Sequence, residues 1–168
     1  YSTTMILFLI VNPVGKIPAL ILADGTGLAN SPVICDYLDS QHCGVKMIPT
    51  SGPSRWEALH LQAISDGLMD AAVNNRYETM VRPEALRWDA WSAGQMGKVD
   101  RVVDALEDSV DILGDRVHIG TISVGCALGY LDFRYGDRKW RGSHPKLASW
   151  FAKFEQRPSM QATMPPKT

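Results

Sequence analysis

The residues best suited to act together lie in two short segments, Asn12-Pro13-Val14-Gly15-Lys16-Ile17-Pro18-Ala19-Leu20 and Asn30-Ser31-Pro32-Val33-Ile34-Cys35-Asp36-Tyr37-Leu38. A proline directly before an apolar strand can adopt a cis peptide bond, which turns the backbone N–H and C=O of Ile17 toward an extended peptide. Ser31-Pro32 reads as a helix start, with Ser as the cap and Pro as the first helical residue. Free N–H groups and the helix dipole attract a carboxylate there. Lys16 adds a positive charge. The set suits a small, extended peptide with a carboxylate at each end. Taken singly, each residue has an ordinary structural reading: a cap, a turn proline, a surface charge. Their joint spacing is what favours a binding site.

The elements that must position these residues follow from the local pattern. Met5 to Val11 is an unbroken apolar run rich in β-formers and predicts a buried strand, closed by the turn cluster Asn12 to Gly15. Pro18 to Leu22 predicts a second extended segment. Asp24-Gly25 is a hairpin signal because Gly tolerates positive φ, and it returns the chain through Leu28 and Ala29. A short helix from Ser31 to about Asp39 comes next. Gln41 to Pro53, with two Gly and two Pro, reads as an interdomain linker.

Beyond the linker the period becomes helical. Ser54 and Glu57 form a Ser-x-x-Glu capping box ahead of the stripe Leu61, Ile64, Leu68 and Ala71, on a helix ending near Val81. Pro83 starts a second helix, with the stripe Val99, Val102, Leu106, Val110 and Leu113 and Gly114 as terminator. Thr121 caps a third helix, Ile122 to about Phe133. Its Gly125, Ala127 and Gly129 allow close backbone approach, so it is expected to be central. His144-Pro145 opens a fourth, with Leu147, Phe151 and Phe154 on one face, and Pro158 stops it. The predicted fold class is α+β, a β-containing domain followed by an all-α one.

Composition excludes several functions. The 168 residues are 45% hydrophobic and 21% charged, enough for one core or two small packed domains. Seventeen Lys and Arg against eighteen Asp and Glu leave no broad basic face for nucleic acid. The apolar run at Met5 to Val11 is far shorter than the roughly 20 residues of a membrane helix. Cys35, Cys43 and Cys126 match no zinc or disulfide framework, a pattern that suits a reducing cytosol. His42, His60, His118 and His144 show no ligand spacing, so no metal is expected.

The pattern Asn-Pro-x-Gly-Lys-Ile-Pro-Ala-Leu, Asp-Gly, then x-Ser-x-x-Ile-x-x-Tyr-Leu resembles the glutathione-site signature of the cytosolic glutathione S-transferases, in their bacterial form. Thr121-Ile122-Ser123-Val124, Ala127-Leu128 and Tyr130-Leu131-Asp132 resemble the family's buried sixth helix. Trp150-Phe151 and Arg157-Pro158-Ser159 resemble its last characteristic stretch. The resemblance implies a shortened thioredoxin-like domain over residues 1–45 and an all-α domain over 53–168. It implies that Ile17, beside cis Pro18, pairs with the cysteinyl part of glutathione. Asn30 and Ser31 hold the γ-glutamyl carboxylate, and Lys16 the glycyl one. Asn30 stands where the family usually has an acid or Gln, so it cannot offset the ammonium charge, and a lower affinity is expected. Val124 stands where the helix-six box has Asp, which leaves Thr121 to cap alone at a cost of about 1 kcal/mol.

The activity implied is conjugation of the glutathione thiolate to an electrophilic small molecule, by a cytoplasmic homodimer needing no cofactor beyond glutathione. The family places a thiolate-stabilising Tyr, Ser or Cys just after the first strand. Only eleven residues precede Asn12, whereas a βαβ unit takes roughly 30. The first helix and at least one strand of that unit are therefore expected to be missing from this chain. Tyr1-Ser2-Thr3-Thr4 resembles the serine-type catalytic loop, which makes Ser2 the first candidate hydroxyl and Thr4 the second; the ordinary reading is a frayed terminus. Met69, Val73 and Tyr77 share a helical face, and Tyr77 is the candidate for the electrophile pocket. The alternative function is a non-catalytic glutathione-binding or structural module, and a sequence shorter than the native chain is a third reading.

Overall fold

A computed structural model describes Leu9 and residues 11–166 of the chain. Two compact units result, one running to Thr50 and the other from Ser51.

The first unit is built on a hairpin. Ala19–Ile21 (β1) pairs antiparallel with Gly27–Ala29 (β2), in the register Ala19 to Ala29, Leu20 to Leu28 and Ile21 to Gly27. The turn forms where Asp-Gly predicts it. Gly25 takes φ 87°, the Leu22 N–H donates to the Thr26 carbonyl at 2.8 Å, and the Asp24 carboxylate accepts the Thr26 N–H at 2.9 Å. Ser31–Ser40 (α1) follows and buries Ile34 and Asp39.

The apolar run before the hairpin departs from expectation. Leu9 and Val11, its described members, have helical rather than extended backbone. A short apolar run carries no periodicity that separates a strand from a helical turn. Val11 lies so close to β2 that a Cβ on Gly27 would sit 2.6 Å from its Cγ1.

The segment after α1 is held by one buried carboxylate. Asp39 accepts the N–H of Met47 at 2.8 Å and of Ile48 at 3.0 Å, and its other neighbour is the His42 ring at 3.2 Å. Lys46 donates to the carbonyls of Asp39 and His42. Ile48 is buried by this wrap. The predicted linker is thus an irregular but bonded loop over most of its length.

The second unit is all helix. Its main elements are Pro53–Arg76 (α2), Asp89–Asp108 (α3), Val110–Leu113 (α4), Ile119–Arg134 (α5), Trp140–Ser143 (α6), Pro145–Phe154 (α7) and Pro158–Ala162 (α8). Leu68 of α2, Leu106 of α3, Leu128 of α5 and Leu147 of α7 are almost wholly buried in one core, each adding roughly 1.5–3 kcal/mol relative to exposure. The helix α5 is central as expected, packing along α2 and against α7.

Helix boundaries differ from the sequence reading in instructive ways. Ser54 lies inside α2, whose cap is Gly52 at φ 75°. Glu57 pairs with Arg116 instead of closing a capping box. After Arg76 the chain widens into a π turn, Tyr77–Val81. Pro83 precedes only the 3₁₀ turn Glu84–Leu86, and the long helix starts at Asp89. Glu78 explains the delay: its buried carboxylate accepts the Trp88 N–H at 2.7 Å and binds Arg82 at 2.8 Å, so the intervening chain folds around it. Val103 rather than Val102 is the fully buried member of the α3 stripe.

The cap of α5 also shifts. His118 is the cap residue and Thr121 the third helical one; Thr121 Oγ1 accepts the His118 N–H at 3.1 Å, and His118 Nδ1 accepts the Thr121 N–H at 3.4 Å. A reciprocal box therefore exists, with His in the Ser position, and Val124 is free to be fully buried in the core. Close approach on α5 belongs to Gly120 and Gly125, where a Cβ would lie 2.6 Å from the Ala58 carbonyl and 2.8 Å from the Phe154 ring; at Gly129 the nearest atom is 3.7 Å away.

Candidate functional site

Hairpin register brings the two chemistry-bearing segments together in the first unit. Because Ala19 faces Ala29, the residues just before β1 (Lys16, Ile17, Pro18) and just after β2 (Asn30, Ser31) share one end of the sheet. All five are exposed. The Ile17–Pro18 peptide is cis. Ile17 is 85% exposed despite its apolar side chain, and among the described residues its backbone N–H and carbonyl take no hydrogen bond. That is an open, edge-like pair of backbone groups, the arrangement that receives an extended peptide.

Asn12 supports this edge and was not singled out by the sequence. It is buried; its Oδ1 accepts the Val14 N–H at 3.1 Å and its carbonyl the Gly15 N–H at 2.9 Å. Its Nδ2 donates to the Lys16 carbonyl. Gly15 supplies the positive φ of 68° that this turn needs. The side chain of Asn12 therefore fixes the peptide group immediately before Ile17. Its signal in the sequence was only that of an Asx turn, which any loop Asn can give.

The other side of the site is the start of α1. Asn30, not Ser31, is the cap residue, with φ 77° and ψ 130°. A non-glycine residue at such a φ costs roughly 1–3 kcal/mol and persists where surrounding structure or function holds it. Asn30 here turns the chain from β2 into α1 within one residue. The Ile34 N–H already bonds the Asn30 carbonyl at 3.1 Å, and Pro32 has no N–H. Ser31 and Val33 keep N–H groups without an intrahelical acceptor. No side chain caps them, and no acidic residue stands in the first turn. The positive end of the helix is left for an outside anion. Lys16 makes no ion pair among the described residues. One cation, one bare helix end and one open backbone edge are thus brought together within the stretch from Lys16 to Val33.

Ser2 and Thr4 lie outside the described residues. In the second unit Tyr77 begins the π turn and is 62% exposed. Met69 lines an apolar cavity of about 730 Å³ together with Cys126, Tyr130, Phe133, Met160 and Met164, whereas Val73 and Tyr77 are not among its walls. Its size is that of a small-molecule pocket. Burial raises the Tyr130 hydroxyl above the usual phenol range, so it is a neutral donor there. Among the described residues no group of three or more His, Cys, Asp or Glu could hold a metal ion. No helix among the described residues is long and apolar enough to cross a membrane.

Comparison with known proteins converges on one family. Two family profiles match, described as the glutathione S-transferase N-terminal domain over residues 3–41 and the C-terminal domain over residues 89–153. The uncharacterized GST-like protein YibF of Escherichia coli (strain K12) is 31% identical over 159 residues, spanning 93% of this chain and 78% of YibF. A glutathione transferase family member from Pseudomonas fluorescens Pf-5, solved with bound glutathione, superposes with a TM-score of 0.93 at 48% identity, over 95% of this chain and 78% of that one. A glutathione S-transferase from Methylobacillus flagellatus KT, also with glutathione bound, gives 0.89 at 34% identity, over 94% and 80% of the two chains.

Proposed function

Since the chain belongs to the glutathione S-transferase family, we propose that it binds glutathione at the end of its hairpin and conjugates the thiolate to an electrophilic small molecule. The carrying observation is the convergence of the open Ile17 backbone with the uncapped start of α1 at Ser31. Glutathione is an extended tripeptide with a carboxylate at each end. The backbone of Ile17 pairs with its cysteinyl residue, Ser31 and the α1 N–H groups take the γ-glutamyl carboxylate, and Lys16 takes the glycyl carboxylate. Asn30 hydrogen-bonds the γ-glutamyl group without offsetting its ammonium. Relatives solved with glutathione bound support this reading.

In the reaction the thiol proton leaves to solvent, the sulfur attacks the electrophilic carbon, and the bond to the leaving group breaks as the C–S bond forms. Ser2 is the hydroxyl proposed to stabilise the thiolate, with Thr4 the second choice; a hydrogen bond to sulfur lowers the thiol pKa and raises the reactive fraction near neutral pH. A homodimer in the cytoplasm belongs to the same reading, and sedimentation of the purified chain tests its dimeric part.

An arene-halide conjugation assay on wild type and Ser2→Ala tests the catalytic half. Turnover in wild type that falls in Ser2→Ala supports it. Equal rates remove Ser2 from the mechanism, and glutathione binding without turnover in either protein makes the chain a non-catalytic binder.

A further inference from the structure

The apolar cavity of the second unit is walled by Met69 of α2, Phe133 of α5, Phe151 of α7, Met160 of α8 and Met164. Four of its lining side chains carry oxygen: Tyr130, Asp132, Glu155 and Thr163. Three of these are committed to the protein. Asp132 accepts the Trp140 indole N–H at 2.7 Å and the Arg141 guanidinium at 2.6 Å, and Glu155 accepts from Arg141 at 3.1 Å. The Thr163 hydroxyl donates to the Ser159 carbonyl at 2.8 Å. Tyr130 meets Tyr135 through their rings, 6.5 Å apart and tilted by 57°, and its hydroxyl takes no hydrogen bond among the described residues.

Tyr135 shows what a committed phenol looks like in the same unit: its hydroxyl donates to the Ala72 carbonyl at 2.7 Å and accepts the Asn75 amide at 3.1 Å. Burial keeps the Tyr130 phenol protonated, so the cavity offers an entering molecule one uncommitted side-chain O–H. An apolar room with a single such donor selects an apolar body that carries one strong acceptor. Two carboxylates against one guanidinium leave a negative balance at Asp132, Glu155 and Arg141, which opposes an anion.

We propose that Tyr130 is the specificity-determining residue of this cavity, donating its O–H to the carbonyl oxygen of an uncharged apolar ketone or aldehyde. The chemistry of the inference rests on the conjugation reading above, for which it names the electrophile class: α,β-unsaturated carbonyl compounds. The glutathione sulfur, its proton released to solvent, bonds to the β-carbon. The C=C electron pair shifts so that negative charge gathers on the carbonyl oxygen, where the Tyr130 O–H stabilises it. Water then protonates the α-carbon and the carbonyl reforms, so nothing departs and the product is a saturated thioether. A donor aimed at a developing oxyanion is worth on the order of a hundredfold in rate.

Calorimetry of the full chain with benzylacetone, a saturated ketone that cannot react, reads the site without turnover. Conjugation of benzylideneacetone, its unsaturated counterpart, is measured beside displacement on benzyl chloride, which has no oxygen. Tyr130→Phe keeps the ring and removes the donor, and its melting temperature should match wild type because that hydroxyl bonds nothing among the described residues. Benzylacetone is expected to bind wild type saturably and Tyr130→Phe roughly fivefold to tenfold more weakly, the scale of one neutral hydrogen bond. In Tyr130→Phe, kcat/KM for benzylideneacetone is expected to fall about a hundredfold, with that for benzyl chloride changed by less than about twofold. Absence of benzylacetone binding, equal affinity in the two proteins, or equal losses for both electrophiles would each overturn the proposal, and turnover of benzyl chloride in that case leaves the conjugation reading standing. Tyr130-dependent binding of benzylacetone with no turnover of either electrophile would support the carbonyl site and overturn the conjugation reading, together with the electrophile class drawn from it.

Discussion

Ala19 lies directly opposite Ala29 in the hairpin, and this one pairing sets Lys16, Ile17 and Pro18 beside Asn30 and Ser31. The anion-holding groups come from both sides of it. Lys16→Ala and Ser31→Ala should each weaken glutathione by roughly tenfold, the scale of one charge-assisted hydrogen bond. Neither should change the melting temperature, since both side chains are exposed. Calorimetry with paired thermal melts checks this.

Asn12→Ala separates support from contact. Asn12 touches no proposed ligand group but holds the Lys16 carbonyl from a buried position. Its removal takes away the side-chain partners of the Val14 N–H and the Lys16 carbonyl, a cost of about 1–2 kcal/mol for the two bonds together. Glutathione affinity and thermal stability should therefore fall together, unlike the result at Lys16.

Asp39 closes the loop behind α1, and its carboxylate needs to be charged to accept two N–H groups. Burial alone pushes it up, but the N–H groups of Met47 and Ile48, the His42 ring and Lys46 hold it below the usual carboxylate range. A depressed carboxylate contributes stability at any pH above its unfolded value of about 3.9, and that contribution is lost as pH falls through this value toward the lower folded one. Asp39→Asn turns an amide N–H toward one of the two donors. It should cost about 1–3 kcal/mol at neutral pH and flatten the acid limb of the stability curve. Denaturant unfolding at pH 3–7 measures both.

Two histidines of the helical unit act in opposite directions. Burial, reinforced by Arg116 and opposed by Glu57, lowers His118 below the usual imidazole value. The unfolded chain then takes the proton first, so stability declines as pH drops below about 6.5. Protonation of Nδ1 would also end its acceptance of the Thr121 N–H. Burial likewise pushes His144 down, but its bonds to Asp104, at 2.8 Å, and to the Trp140 carbonyl outweigh this and raise it. Its contribution is complete below the unfolded value and is lost as pH rises through the raised folded one. Thermal melts from pH 5 to 8 should show His118→Asn with less loss of stability at the acid end, because Asn can still cap. His144→Asn should lose the stabilisation on that side. Identical slopes in His118→Asn and wild type would contradict the cap role.

Much of this was legible in the sequence because it is local. Asp24-Gly25 marks the hairpin through backbone conformation alone, and the spacing from Lys16 to Ser31 follows once the hairpin exists. The long stripes of α2 and α3 are set by period. Helix starts were less legible, since they depend on partners far along the chain. Glu57 is drawn to Arg116, 59 residues away, and Glu78 holds Trp88 away from the helix that Pro83 suggests. Leu9 and Val11 sit in an apolar run that reads equally as strand or helical turn. The indole N–H of Trp150 reaches the Gly114 carbonyl, 36 residues away, a pairing that no helical period points to and only three dimensions reveal.

Titration of the purified chain with glutathione in a calorimeter, beside a Lys16→Ala/Ser31→Ala double variant of unchanged thermal stability, tests the proposed site most directly. Saturable one-to-one binding to wild type, weakened about a hundredfold in the double variant if two charge-assisted contacts act independently, is the expected result. No binding to wild type, or equal affinity in both proteins, would contradict glutathione recognition at the end of the Ala19–Ala29 hairpin.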